Sequence, residues 1–303
     1  MALAAAALAT GWLLVLHHLL PDIAGLGSLV ETFLPWSGLV LLALGVVAVL
    51  RRAAGGALAV LFSAGAWLWL FWPLPAPASA PGPDLVVVQH NVADTNSDPG
   101  RTAAVLLEAE PDVVTLVEVT TPLDRELTQA LGAALPYREV RGTVGVWSRY
   151  PLLGPEPVDL RPPGTNASWE RGMRVVVDVP GGTDPRVYAV HAPSVRLGPG
   201  GLRSQARDHS LGLLGEVLAD DDASVVVVGG DLNATLDDRA LGPVLAHVST
   251  PRVVLGATFP APLPVVRIDH VLARGADVTR VATLGRTGSD HLPVVADVRL
   301  PPG

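Results

Sequence analysis

VVVVGGDLNAT, residues 225–235, reads as a strand covered on both faces, because four consecutive valines leave no side of a pleated ribbon for water. Gly229 and Gly230 then permit a sharp backbone exit that β-branched residues resist. Asp231 and Asn233 are thereby presented at the carboxyl end of the strand, where α/β sheets gather their ligands. A strand that merely closes in an Asp/Asn turn satisfies the same eleven residues, so the rest of the chain must decide.

Composition divides the 303 residues in two. Up to Trp72 the charged side chains are Asp22, Glu31, Arg51 and Arg52; every other acid lies beyond residue 83. The 21 basic residues are all arginine, which together with heavy use of Ala, Gly, Val and Pro points to a GC-rich, bacterial coding sequence. The absence of cysteine excludes disulfides, thiolate zinc sites and cysteine nucleophiles.

Three apolar segments, Ala2–Leu20, Leu34–Leu50 and Ala53–Trp72, each approach the ~20 residues needed to span a bilayer. The first lacks the basic leader of a cleavable signal peptide, and two more follow it, so residues 1–72 are expected to form a membrane anchor of three transmembrane helices. Arg51 and Arg52 place the loop between the second and third helices in the cytoplasm, and therefore everything after Trp72 outside it. Trp67, Trp69, Phe71 and Trp72 suit the outer interfacial belt. Residues 73–83, PLPAPASAPGP, read as an extended linker of about 30 Å, which keeps residues 84–303 near the membrane surface.

Beyond the linker, strand and helix signals alternate and then give way to paired strands. Strands are expected at 85–92, 111–118, 143–152, 173–179, 186–192, 225–231, 266–272, 277–284 and 293–299, with helices at 101–109, 123–134, 202–218 and 237–247. That order predicts an α/β fold of two packed sheets with helices outside. Polar residues recur at the strand ends: Asn91, Glu118, His191, Asp231 with Asn233, Asp269 with His270, and Asp290 with His291. Each has a plain structural reading as an edge, a cap or a buried imidazole. Together they supply what phosphate ester hydrolysis requires: oxygen ligands for a hard cation, a base for water, and donors for developing phosphoryl charge.

Seven elements in order, QHN (89–91), LVEV (116–119), GVWSRYPL (145–152), VHAPS (190–194), GDLNAT (230–235), RIDHVL (267–272) and SDHLPV (289–294), resemble the endonuclease/exonuclease/phosphatase superfamily. The resemblance covers residues 84–299 and implies a four-layered α/β sandwich with divalent-metal phosphoesterase chemistry. It implies Glu118 as the principal Mg²⁺ ligand, with Mn²⁺ as a substitute, assisted by Asn91 and Asp290. Asp231 would position or deprotonate water, and Asn233 would orient Asp231 and donate to the phosphate. His291 would contact the phosphate or move a proton, Asp269 would fix its tautomer, and His191 would donate to phosphoryl oxygens. His270 reads as structural, and Arg203 and Gln205 as packing residues of the 202–218 helix. The chain departs from abasic-site endonucleases at Ala93, where those enzymes carry a metal-binding Asp, which puts that second metal position in doubt.

Charge bears on the substrate. Without Arg51, Arg52, Asp22 and Glu31, the totals of 21 and 29 leave 19 arginines against 27 acids, a poor complement to a nucleic acid backbone. Arg196, Arg203 and Arg207 form the one local basic patch, sized for a solvated face or a single anionic headgroup. Three spans before an external phosphoesterase domain also resemble VanJ-type actinobacterial membrane proteins, which implies a polyprenyl pyrophosphate substrate in envelope metabolism or glycopeptide resistance. An extracellular nuclease and a non-catalytic membrane scaffold are the competing expectations.

Overall fold

The computed structural model describes residues 1–71, 84–181, 183–199, 201–253 and 256–301. The expected linker at 73–83, and Trp72 and Gly182 with it, lies outside them. The chain forms two compact units.

The first unit comprises the N-terminal helices together with Arg196–Arg203 and Leu236–Arg239. Its helices are α1 (Ala2–Leu16), α2 (Leu26–Thr32), α3 (Ser37–Leu50) and α4 (Ala54–Phe71). Two helices, Ala2–Leu19 and Ala54–Phe71, are long and apolar enough to cross a membrane. A third crossing arises if Ile23–Thr32 and Leu34–Leu50, bent by 57°, act as one span. Small residues let two of these helices approach closely. Gly11 of α1 lies against Ser63 of α4, whose Oγ donates to Ala7 O at 2.8 Å. Ala7, Ala59 and Val60 form the contact.

The same unit contains a polar clamp. Glu31 is buried, and Arg239 meets it twice, Nε to Oε2 at 2.9 Å and Nη2 to Oε1 at 2.8 Å. Arg239 also donates to Leu20 O at 2.6 Å and His17 O at 3.1 Å, while Ser28 Oγ donates to Asp238 Oδ2 at 2.6 Å. Gly27 is required there, since a Cβ would fall 2.7 Å from the Arg239 guanidinium carbon.

After the linker come β1 (Leu85–Asn91), α5 (Pro99–Leu107), β2 (Val113–Val117), α6 (Thr121–Leu131), β3 (Tyr137–Arg141), β4 (Val144–Ser148) and β5 (Leu152–Pro157). They are followed by β6 (Gly172–Val177), β7 (Arg186–His191), β8 (Arg196–Gly198), β9 (Gly201–Arg203), α7 (Gln205–Asp220) and β10 (Val226–Asp231). The chain ends in α8 (Gly242–Leu245), β11 (Asp269–Arg274), β12 (Asp277–Thr283) and β13 (Val294–Arg299).

In the second unit these strands make a six-stranded sheet, β12-β13-β1-β2-β4-β3, and a five-stranded sheet, β11-β10-β7-β6-β5. Both are mixed: β1 runs parallel to β2 and β10 parallel to β7, while the remaining pairs are antiparallel. The sheets bury a valine-rich core that includes Val87, Val113, Val146, Val187, Val227 and Val271. Outside the six-stranded sheet, α5 and α6 cover a second core around Leu106, Leu127 and Trp147. On the other sheet's side, α7 buries Leu211, Leu214 and Leu218. This is the expected four-layered sandwich.

Three local expectations change. The run 143–152 is two strands, β4 and β5, which belong to different sheets, with Pro151 at the break. Residues 196–198 and 201–203 pair as antiparallel strands, so Arg203 lies on β9 rather than on the helix, which begins at Gln205. Gly229 and Gly230 stay inside β10, and their role is close approach rather than a sharp exit. A Cβ on Gly229 would fall 2.2 Å from Thr115 Oγ1 of the facing sheet, and one on Gly230 2.2 Å from Val190 O of the neighbouring strand. The unusual backbone comes two residues later, at Asn233 (φ 48°).

Candidate active site

Strand pairing brings the polar ends together. Asp231 sits opposite His191 on β7 and Asp269 on β11, while Asn91 on β1 sits opposite Val117, one residue before Glu118. All but Glu118 of these side chains are buried. Glu118 has φ 61° and Ala93 φ 59°, so with Asn233 three non-glycine residues around the site hold left-handed backbone, each at a cost on the order of 1–3 kcal/mol. Such strain persists where surrounding contacts impose it.

Asn91 joins the two sheets. Its Nδ2 donates to Glu118 Oε1 at 3.1 Å and to Asp231 Oδ2 at 3.0 Å, and its Oδ1 accepts from Ala93 N at 3.0 Å. Glu118 Oε2 accepts from Asp94 N at 3.2 Å, so Asp94 contributes its backbone while its side chain is exposed. Asp231 Oδ1 accepts from Asn233 N at 3.0 Å. The orienting group of Asn233 is therefore its backbone; its side-chain amide donates to Ala192 O at 3.0 Å.

His291 and Asp269 form the second pair, with Nδ1 to Oδ2 at 2.8 Å. The other ring nitrogen, Nε2, stands 3.8 Å from Asp231 Oδ2. Ser289 secures this corner: its Oγ donates to Asn91 O at 2.7 Å and accepts from His291 N at 3.0 Å. Phe259 covers the His291 ring at 4.9 Å between centroids. Asp290 is exposed, and its carboxylate lies outside the cluster formed by Asp231, Asp269 and His291, whose ligand atoms are within 4.8 Å of one another.

Protonation follows from these surroundings. Burial lifts Asp231 to about 7, Asp269 adds to the rise, and His291, Asn91 and the Asn233 N–H oppose it. For His291 burial acts downward, yet Asp269, Asp231 and Asp290 outweigh it and raise the imidazole to about 9. Asp269 is held low, the His291 interactions overcoming its own burial. At neutral pH the pair is an imidazolium and a carboxylate beside an acid poised to give or take a proton.

His191 is the neutral counterpart. Burial, with Arg171 and His291 nearby, pushes it down to about 3. Arg171 Nη1 lies 3.4 Å from His191 Nδ1, and a guanidinium only donates, so Nδ1 accepts and Nε2 carries the proton. That N–H faces Glu118 Oε1 at 3.6 Å and Asp231 Oδ2 at 3.9 Å.

Four residues that sequence reasoning left without a role here support the site. Arg171 places a cation beside His191 and stacks on Trp169 at 5.4 Å; one arginine in WERGMR carries no motif signal. Arg207, not Arg203, braces the Asp231 loop, donating to Asn233 O at 3.0 Å from a buried position and pairing with Asp208 at 2.7 Å. Gln89 lies between Asp269 Oδ1, 3.3 Å from its amide nitrogen, and Asp231 N, 3.2 Å from its oxygen, when the amide is turned to satisfy both. His90 is buried, held near 3 by desolvation, and bonds Thr287 Oγ1 at 3.0 Å. Both stand in the QHN element, where only Asn91 was assigned. His270 is structural as expected, meeting Ala234 O at 2.9 Å.

The fold that carries this constellation, with its two facing sheets, has known counterparts. The model of the Endonuclease/Exonuclease/phosphatase family matches residues 88–291. The chain belongs to that family. A search of curated proteins returns no match. Among solved structures it is similar to sphingomyelinase C from Streptomyces griseocarneus, at 20% identity over 72% of this chain and 99% of the other with TM-score 0.52. Staphylococcus aureus beta toxin with bound magnesium ions aligns at 16% identity over 71% and 99%, TM-score 0.55. D. rerio TDP2 complexed with a single-strand DNA product aligns at 17% identity over 71% and 98%, TM-score 0.57. Identities this low convey the fold. Family membership makes the chain a phosphoesterase or nuclease in type, and Asp231, in the buried Asp231–Asp269–His291 cluster, offers a carboxylate to a divalent ion.

Proposed function

We propose that this chain is a membrane-anchored hydrolase of phosphate esters or anhydrides that acts outside the cytoplasm on a phosphorylated lipid, with polyprenyl pyrophosphate as the leading candidate. The observation that carries the hydrolase reading is Asp231: a buried carboxylate with a raised pKa, held by Asn91 and the Asn233 N–H, next to an imidazolium.

The donors fit a hard cation. Glu118 Oε1 and Asp231 Oδ2 converge on the Asn91 amide nitrogen, an oxygen-rich corner that suits Mg²⁺ or Mn²⁺ better than a soft metal. Glu118, Asn91 and Asp231 would hold the ion; His291, kept protonated by Asp269, has no free lone pair to offer. Asp290, exposed and close enough to His291 to raise its pKa, is the further carboxylate that would assist. What Mg²⁺ supplies there is neutralisation of phosphoryl charge and a more acidic attacking water.

The protein's own groups do the rest. Asp231 accepts the proton of the attacking water. The His191 Nε2–H and the Arg171 guanidinium donate to phosphoryl oxygens. His291 gives its Nε2 proton to the leaving oxygen, with Asp269 fixing the ring, and Asn233 holds Asp231 in line.

Lipid is favoured over nucleic acid by the apolar helices and by the acid excess of residues 84–303. Fold does not choose between them, since relatives named for sphingomyelin and for a DNA product share it. The experiment is a substrate panel on the full chain in detergent with Mg²⁺: polyprenyl pyrophosphate, a lipid phosphodiester, a phosphomonoester and single-stranded DNA. Phosphate release from the pyrophosphate is expected. DNA cleavage without it establishes the nuclease reading instead, and inactivity on all four without Mg²⁺ binding establishes the scaffold. Protease access to residues 73–83 in intact cells tests the orientation, and cleavage only after lysis reverses it.

A further inference from the structure

The basic patch at Arg196, Arg203 and Arg207 resolves into two different things. Arg207 is buried and paired, as described. Arg196 and Arg203 are exposed and face each other directly across the β8–β9 ribbon, and neither meets a carboxylate among the described residues. Like charges directly opposite on paired strands repel. In a chain of net charge −8, leaving two such cations side by side without an acid is a specific arrangement. The next residue, Leu197, which the alternation of strand side chains turns to the other face of the ribbon, is 79% exposed.

The β8–β9 ribbon is fixed to the loop between α1 and α2. Gly201 (φ 100°) lies against Ala24 and Gly25 (φ 75°) against Leu202, so closely that a Cβ on either glycine would fall 2.5 Å from its neighbour. Residues 23–25 open the apolar bent pair of Ile23–Thr32 and Leu34–Leu50, three residues after the apolar helix that ends at Leu19. An element gripping that segment lies at the end of the spans, which is the level of lipid headgroups if those helices cross a bilayer.

We infer that the β8–β9 ribbon is a bilayer-contacting tip, with Arg196 and Arg203 jointly binding the phosphate of an anionic lipid and Leu197 entering the interface. The geometry matches the requirement on each count: two cations at one point relieve their repulsion on a shared anion, and an exposed leucine adjoining Arg196 in the chain gains by leaving water. The inference rests on the membrane part of the proposed function but not on the hydrolase part.

The chain has no cysteine, so Leu197→Cys gives a single site for an environment-sensitive fluorophore. The labelled full chain is placed in lipid nanodiscs of phosphatidylcholine alone or with one third phosphatidylglycerol, and Glu126→Cys on exposed α6 serves as the aqueous reference. The expected result is blue-shifted emission at position 197, quenched by headgroup-labelled lipid and strengthened by phosphatidylglycerol. Combining Arg196→Gln with Arg203→Gln should lower the lipid-contacting population roughly thirtyfold, at about 1 kcal/mol per arginine near the surface. Arg196→Lys with Arg203→Lys should retain it, which separates charge from folding. Emission matching the Glu126→Cys reference in both lipids overturns the inference, as does indifference to phosphatidylglycerol. A response reproduced by millimolar inorganic phosphate in neutral discs assigns the arginines to a soluble anion instead. A tip in lipid on a chain that hydrolyses nothing leaves this inference standing and removes the hydrolase reading; hydrolysis with the tip in water does the reverse.

Discussion

The two ends of strand β10 each carry a buried carboxylate, and the chain treats them in opposite ways. Asp221, just before the strand, is surrounded by cations: Arg186 at 2.6 Å, Arg274 at 3.7 Å and Arg174 at 3.9 Å, with the Tyr188 hydroxyl and the Ala223 N–H completing its shell. Its carboxyl group is held low, the Tyr188 and Ala223 hydrogen bonds and the arginines overcoming burial. Asp231, at the other end, has amide hydrogen bonds and one imidazolium at 3.8 Å against burial and the neighbouring Asp269, and rises to about 7. A carboxylate that only holds structure is neutralised by its own protein. One left short of positive charge keeps room for a proton or a metal ion.

Removing the groups at the catalytic end should have the largest effect. Asp231→Ala and His291→Ala are each expected to lower turnover of the folded fraction about 10⁴-fold, as losses in a concerted unit do, and His291→Ala also to lower the melting temperature, because Asp269 then stays buried without its imidazolium. Substrate turnover and thermal melting of the detergent-solubilised full chain check this; substantial activity in either variant would remove the assignment. At the structural end the same kind of change should reverse the pattern. Asp221→Ala leaves three arginines facing an empty partner and should cost about 3 kcal/mol of stability with turnover of the folded fraction unchanged.

Metal addition comes next in size. Saturating Mg²⁺ at a hundredfold excess over its Kd should stabilise the folded chain by about 2.7 kcal/mol. Glu118→Gln should remove most of that gain, whereas Asp221→Ala should leave it intact; equal gains in both variants would place the ion elsewhere.

The smallest effect is the most discriminating, because the two ends should respond to pH with opposite sign. Asp231 has a folded pKa above its unfolded value of ~3.9, so its contribution in the metal-free chain is present below pH 4 and is lost as pH rises towards 7. His291, raised to about 9, contributes stability below its unfolded pKa of ~6.5 that disappears as pH rises through 9. Asp221, depressed, stabilises above its unfolded value and loses that contribution as pH falls through its folded pKa. Melting temperature against pH should therefore flatten between 4 and 7 in Asp231→Asn and on the acid side in Asp221→Asn. An unchanged slope between pH 4 and 7 in Asp231→Asn would show that the carboxylate is already neutralised.

How much of this could be read in advance differs between elements. The valine runs announced the central strands, since an uninterrupted apolar run flanked by Gly, Pro and Asp leaves few alternatives. Residues 143–152 misled because apolar character continues through a change of sheet, and periodicity carries no information about which sheet a strand joins. The β8–β9 ribbon escaped notice because strands of three residues have no measurable period. Arg207 and Arg171 went unassigned for the same reason that Asp221 did: nothing local distinguishes an arginine that reaches a loop from one that faces water.

What the sequence alone determined is the stock of groups and where along each strand they fall: Asn91, Glu118, His191, Asp231, Asp269 and His291 at strand ends, and apolar helices before residue 72. Alternation and hydropathy are local properties, and local properties are sufficient for that. Only the tertiary structure decided which of the buried acids would be neutralised. Asn91 crosses from one sheet to hold Asp231 on the other, and three arginines from three strands converge on Asp221. A carboxylate's pKa depends on charges and dipoles within a few ångströms, and in this fold those neighbours come from residues as far as 140 positions away in the chain.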